Sequence, residues 1–115
     1  MAYDEQLADR VRAILAAATD HATEKKMFGG MGFMVNDKLC VGVRSDRIMV
    51  RISPEDFEKA LAVEGFTPMM RGGRQMVGYG YVQEDQLATQ KQLQYWINQA
   101  LRFNQAAPVT PKQKK

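Results

Sequence analysis

The side chains that could do chemistry are few and widely spaced. They are one cysteine (Cys40), one histidine (His21), a glycine-rich run at Gly29-Gly30-Met31-Gly32, and a set of cations between Lys38 and Arg74. A cysteine nucleophile needs a nearby cation or base to hold it as thiolate. Arg44 and Arg51 stand in neighbouring predicted strands and could supply a field, but the single histidine lies in a distant loop, so a cysteine hydrolase has no base. Cys40 sits in an alternating strand and reads best as a small buried hydrophobe. His21 follows the end of a predicted helix, where a histidine commonly meets the helix dipole, and nothing in the sequence offers it a metal-binding or catalytic partner.

The GGMG run superficially resembles a phosphate loop. Such a loop needs a strand before it and a helix after it, so that backbone amides and the helix dipole point at the anion. Here a helix precedes and a strand follows, which makes the glycines a bend into a strand. No catalytic, cofactor-binding or metal-ligating residue is therefore assigned, no cofactor is expected, and the expectation is a protein that is not an enzyme.

The cations point elsewhere. Sixteen basic against 13 acidic residues give a formal charge of +3, and Lys112, Lys114 and Lys115 near the C-terminus account for all of it. A balanced body lacks the broad electrostatic footprint from which sequence-independent DNA binding draws its affinity. Locally the picture differs, because Lys38, Arg44, Arg47, Arg51, Arg71 and Arg74 fall in predicted strands and turns opposed only by Asp46. A basic patch on the sheet is the consequence.

These residues are positioned by elements that the sequence spells out. Tyr3, Leu7, Val11, Ile14, Leu15 and Ala18 recur at three- and four-residue steps, predicting an amphipathic helix over residues 3–18. From Phe33 the period becomes two: Phe33 and Val35, then Leu39, Val41 and Val43, then Ile48, Val50 and Ile52. Asn36-Asp37 and Ser45-Asp46 tolerate tight turns, so three strands form a meander. Its Phe/Val/Leu/Ile face is the buried one. The other face would carry Met34, Cys40, Gly42, Arg44, Arg47, Met49 and Arg51, softer and more cationic than an ordinary solvated face.

Ser53-Pro54-Glu55-Asp56 starts a short helix to Val63 that buries Phe57 and Leu61. Strands over residues 67–70 and 75–82 flank the glycine turn Arg71-Gly72-Gly73-Arg74. After Glu84 and Asp85 a last helix runs to about Phe103, with Leu93, Trp96, Ile97, Ala100 and Leu101 inward. The expected order is αβββαββα, a single two-layer α+β domain over residues 1–103 with an antiparallel sheet and helices on one face. Residues 104–115, polar and broken by Pro108 and Pro111, are expected to be a disordered tail. One domain suits the length, which can bury roughly two-thirds of its unfolded surface without staples. The N-terminus is acidic and polar, no stretch of about 18 apolar residues occurs, and a lone cysteine suits a reducing compartment, so the expectation is cytoplasmic with no membrane contact.

The segment KKMFGGMGFMVNDKLCVGV, followed by DRIMVRISPEDFEKAL, then PM, GR and M-x-GYGYV, resembles the TfoX N-terminal domain over about residues 20–103. The resemblance implies a small α+β domain without established catalytic residues. It also implies a regulatory role, since the TfoX/Sxy proteins regulate natural competence and act with the transcription machinery. In those regulators a helical C-terminal domain follows; here a lysine-bearing tail follows, so a stand-alone N-terminal domain is expected.

Together these readings give a regulatory or protein-interaction domain whose interaction surface is Met34, Arg44, Arg47, Met49, Arg51, Arg71 and Arg74. The alternative is a weak nucleic-acid-binding module using the same cations. The partner is unknown, with transcription machinery a candidate by resemblance, and strand edges or the soft sheet face could also pair in a homodimer.

Overall fold

A computed structural model of the chain describes residues 3–27 and 30–106. The elements are α1 (Glu5–Ala18), β1 (Ala22–Met27), β2 (Gly30–Val35), β3 (Lys38–Val43), β4 (Arg47–Arg51), α2 (Pro54–Ala60), β5 (Phe66–Arg71), β6 (Arg74–Gln83) and α3 (Gln90–Ala106). The expected order αβββαββα is found, with one strand, β1, added ahead of the meander. All six strands form one antiparallel sheet in the order β1-β2-β3-β4-β6-β5.

Each helix starts where its sequence supplies a cap. The Asp4 carboxylate accepts from the Leu7 amide at 3.1 Å, which puts the start of α1 at Glu5, after the expected Tyr3. Ser53 Oγ accepts from the Asp56 amide at 3.1 Å and opens α2 with Pro54 in its first turn. At α3, Thr89 Oγ1 accepts from the Gln92 amide at 3.1 Å while Gln92 Oε1 accepts from the Thr89 amide at 3.0 Å, a reciprocal capping box. That box moves the helix start past the expected Glu84-Asp85, which instead belongs to a single 3-10 turn over Glu84–Gln86. Two further expectations are corrected at helix ends. α2 stops at Ala60 and leaves Leu61 exposed, and Ala18 is exposed at the last turn of α1.

The core lies between the sheet and the helices. Phe33, Val35, Val41, Val43, Ile48, Val50, Ile52 and Val82 pack against Leu7, Val11, Leu15, Phe57, Leu93, Trp96 and Ile97. α3 crosses β3 and β4, α2 lies on β6, and α1 packs on α3. The C-terminal turn of α3 is tied to the β2–β3 hairpin: Asn104 Nδ2 donates to the Val35 carbonyl at 3.2 Å, and Lys38 Nζ donates to the Asn104 carbonyl at 2.8 Å. Residues 104–106 therefore belong to the domain, and the expected tail from 107 onward lies outside the described residues.

β1 carries exposed residues at 23–26 and occupies a sheet edge, where charged side chains discourage pairing with another chain. Arg12 of α1 holds it down through a bidentate pair with Glu24, one arm of which measures 2.8 Å. The guanidinium hydrogen bond keeps the Glu24 carboxyl below the usual range. Both side chains are part-exposed, so the pair contributes at most about 1 kcal/mol.

On the helix side of the sheet one close approach sets the packing. The Phe66 ring stacks on Trp96 at 5.6 Å and meets Phe57 edge-on at 6.0 Å. It fills the space where a side chain at Gly80 would stand, since a Cβ there would lie 2.1 Å from the ring. With Trp96 and Phe57 on either side, the ring has no room to retreat. Gly80→Ala should accordingly cost about 1–3 kcal/mol, as overpacked cores do. The checking measurement is urea unfolding, and an unchanged midpoint would contradict the packing described.

Candidate functional site

The sheet face away from the helices carries the site. β4 alternates strictly: Ile48, Val50 and the following Ile52 are fully buried against the helices, so Arg47, Met49 and Arg51 point the other way. Register extends that face sideways, because Met49 pairs with Gly42 of β3 and Tyr81 of β6, while Arg51 pairs with Tyr79. Between them runs an open groove of about 530 Å³. Gly42 and Met49 form its floor, Leu39, Met69, Met76, Tyr79 and Tyr81 its apolar walls, and Arg44 and Arg71 its cationic margin. Met31 also borders it, but it pairs with Val43 and packs against the core, so its side chain belongs to the helix side. The volume falls within the range of ligand-binding clefts, about 300–1,000 Å³.

Arginine and tyrosine are interleaved along this face. Arg44 and Arg47 both lie over the Tyr81 ring, at 5.8 and 5.2 Å from its centroid. Arg51 lies 5.5 Å from Tyr79 and 5.7 Å from Phe103. Such cation–π contacts are worth about 0.5–1 kcal/mol at exposed positions and more where desolvated. Arg47 is also paired with Asp46 at 2.9 Å, and that hydrogen bond keeps the Asp46 carboxyl below its ordinary value.

The residues expected from sequence therefore divide. Arg44, Met49 and Arg71 border the groove itself, and Arg47 flanks it on Tyr81. Arg51 is nearly enclosed, 8% exposed and set between two rings, so it builds the face more than it offers charge. Met34 is half-buried outside the groove, and Arg74 is exposed at the β5–β6 turn, paired in register with Arg71 but not bordering the groove.

One face assignment is corrected. Leu39 was expected on the buried face, but a bulge lets Phe33 pair with Val41 while Met34 pairs with Leu39. The extra residue, Cys40, shifts the parity, so Leu39 shares the face of Met34 and borders the groove. Sequence reasoning also missed Met69, Met76, Tyr79 and Tyr81 as members of the site. A signal existed for the tyrosines: they alternate with Gly80 and Val82, which face the core.

Cys40, expected on the cationic face, is 1% exposed and packed into the core cluster. Burial pushes its thiol from 9.0 up to about 12, and the nearby Arg51 charge only partly opposes this. At neutral pH it stays protonated. His21 is exposed between α1 and β1, its amide donating to Thr19 Oγ1 at 3.0 Å. Among the described residues no three His, Cys, Asp or Glu side chains converge as a metal site would require. Likewise, none of the described helices is long and apolar enough to cross a membrane.

The thiol makes a checkable statement about the fold. Above about pH 9 an unfolded chain ionises Cys40 while the folded chain does not, so stability is unaffected below that value and falls as pH rises towards 12. Alkylation by iodoacetamide should stay slow in the native protein between about pH 7 and 10 and become fast in urea. A native rate climbing to that of the unfolded chain near pH 9 would contradict the burial.

A search of curated proteins found no match to the chain. The sequence profile of the TfoX N-terminal domain matches residues 13–104, a span that takes in every described strand, α2, the C-terminal part of α1 and most of α3. The chain belongs to the TfoX N-terminal domain family.

Proposed function

We infer that this protein is a non-enzymatic, cytoplasmic regulatory domain that works by receiving a protein partner on the open face of its sheet, in a pathway linked to transcription and competence. The family assignment supports the regulatory part of this reading. The observation that carries the interaction part is the groove itself: the side chains of three methionines, two tyrosines and two arginines around a glycine floor, on a face with no helix over it among the described residues. Methionine suits such a surface because its unbranched, polarizable side chain adapts to whatever packs on it. The arginines flanking it can anchor and orient a partner.

Nucleic-acid binding through the same cations draws less support, because the structure disperses them. Lys38 is engaged with the Asn104 carbonyl, Arg47 with Asp46, and Arg51 is nearly enclosed. Cations held in this way are too sparse for the multiple phosphate contacts that give DNA binding its affinity.

The test is methyl NMR of protein carrying labelled methionines, titrated with purified transcription machinery. Met49, Met69 and Met76 signals should broaden while core isoleucine signals hold their positions, and Arg44→Glu with Arg71→Glu should suppress the broadening. Arg51 is left intact because reversing a nearly enclosed charge would test folding instead. Methionine signals that ignore the transcription machinery would reject it as the partner.

A further inference from the structure

The charge of the groove names the kind of segment it fits, and the inference rests on the interaction reading above. Two groups at opposite ends of the groove are cationic. Arg44 sits against Tyr81 at one end, and Arg71 stands beyond Met76 at the other, next to the β5–β6 turn. Thr67, the register partner of Tyr81, and Arg71 are four residues apart on β5, a separation of about 13 Å along a strand. Between those ends the surface is methionine, tyrosine and glycine, and no carboxylate borders the groove among the described residues. Asp46, outside the groove lining, is hydrogen-bonded to Arg47 and lies within the field of Arg44.

We propose that the groove takes a short segment of a partner protein that is apolar at its centre and acidic at both flanks. The apolar centre covers the methionine floor. The flanking carboxylates meet Arg44 and Arg71, where charge-assisted hydrogen bonds to guanidinium fix register and orientation. A basic or uncharged segment with the same apolar centre offers the arginines no carboxylate and binds less well. Nucleic acid offers matching charge at its phosphates but not the apolar centre.

Three synthetic peptides of equal length test this by fluorescence anisotropy and methionine-methyl NMR. One has an apolar centre with Asp/Glu flanks, one the same centre with Lys flanks, and one Asp/Glu flanks with a serine centre; short single- and double-stranded DNA are measured alongside. The acidic–apolar peptide should bind and shift Met49, Met69 and Met76, the Lys-flanked and serine-centred peptides should not, and binding should weaken with salt. Arg71→Glu, at an exposed position, should weaken it by about five- to tenfold.

Gly42→Leu supplies an independent variant. A Cβ there lies at an ordinary 3.5 Å from Met49, so the larger side chain projects into the groove and should abolish binding while the Arg71 variant keeps its fold. Equal binding of the Lys-flanked peptide, or DNA binding on the same methionines with no peptide binding, overturns the proposal. Failure of all peptides, with the methionines still responding to the transcription machinery, overturns the acidic–apolar assignment alone. Silence towards both removes the interaction reading as well.

Discussion

The strict alternation of β4 is the constraint on which the rest depends. This strand joins the meander to the β5–β6 hairpin, pairing with β3 on one side and β6 on the other. Ile48 and Val50 point into the helical layer with no measurable exposure, and that burial fixes the register, since a one-residue slip would drive Arg47, Met49 and Arg51 into the core. Once register is set, the opposite face follows without further choice. Met49 comes beside Gly42 and Tyr81, Arg51 comes beside Tyr79, and the groove is what their unequal sizes leave.

Two glycines serve the two sides of this sheet in different ways. Gly80 faces the helices and is occupied by the Phe66 ring, which ties β5 to α3 through Trp96 and to α2 through Phe57. Gly42 faces away, and nothing from the described helices fills the space above it, so it becomes the low point of the groove. The same missing side chain tightens one layer and leaves the other open. A small α+β domain can therefore hold a firm core and still present an adaptable surface, because the adaptable residues sit on the opposite side of the sheet from the packing that stabilises it.

How much of this could be read in the sequence follows the range of the interactions. The meander strands, α1 and α3 announce themselves through local periodicity, and the Asn36-Asp37 turn is found with both residues at positive φ, 55° and 63°, as a tight hairpin of this kind requires. β1 escaped because ATEKKM has no apolar alternation; it is held by pairing to β2 and by Arg12, neither of which a short window reveals. The bulge at Cys40 reversed the parity of Leu39, which period counting could not see. The start of α3 was legible in Thr89-x-x-Gln92, a capping box overlooked in favour of the acids at Glu84-Asp85. The site was half legible. Arg44, Arg47, Met49 and Arg51 follow from local alternation, whereas Tyr79, Tyr81, Met69 and Met76 join them only through the β4–β6 pairing, a contact that spans α2 and β5.

The central claim is that the methionine- and arginine-bearing face stands open. The most direct measurement is the relaxation of labelled methionine methyls by a soluble nitroxide, with the exposed Met70 as the internal reference. An open groove predicts strong relaxation at Met69 and Met76, approaching that of Met70, with weaker relaxation at the floor residue Met49. If those wall methyls were as protected as methyls of the buried core, the face would be covered in the free protein, and the account would be contradicted.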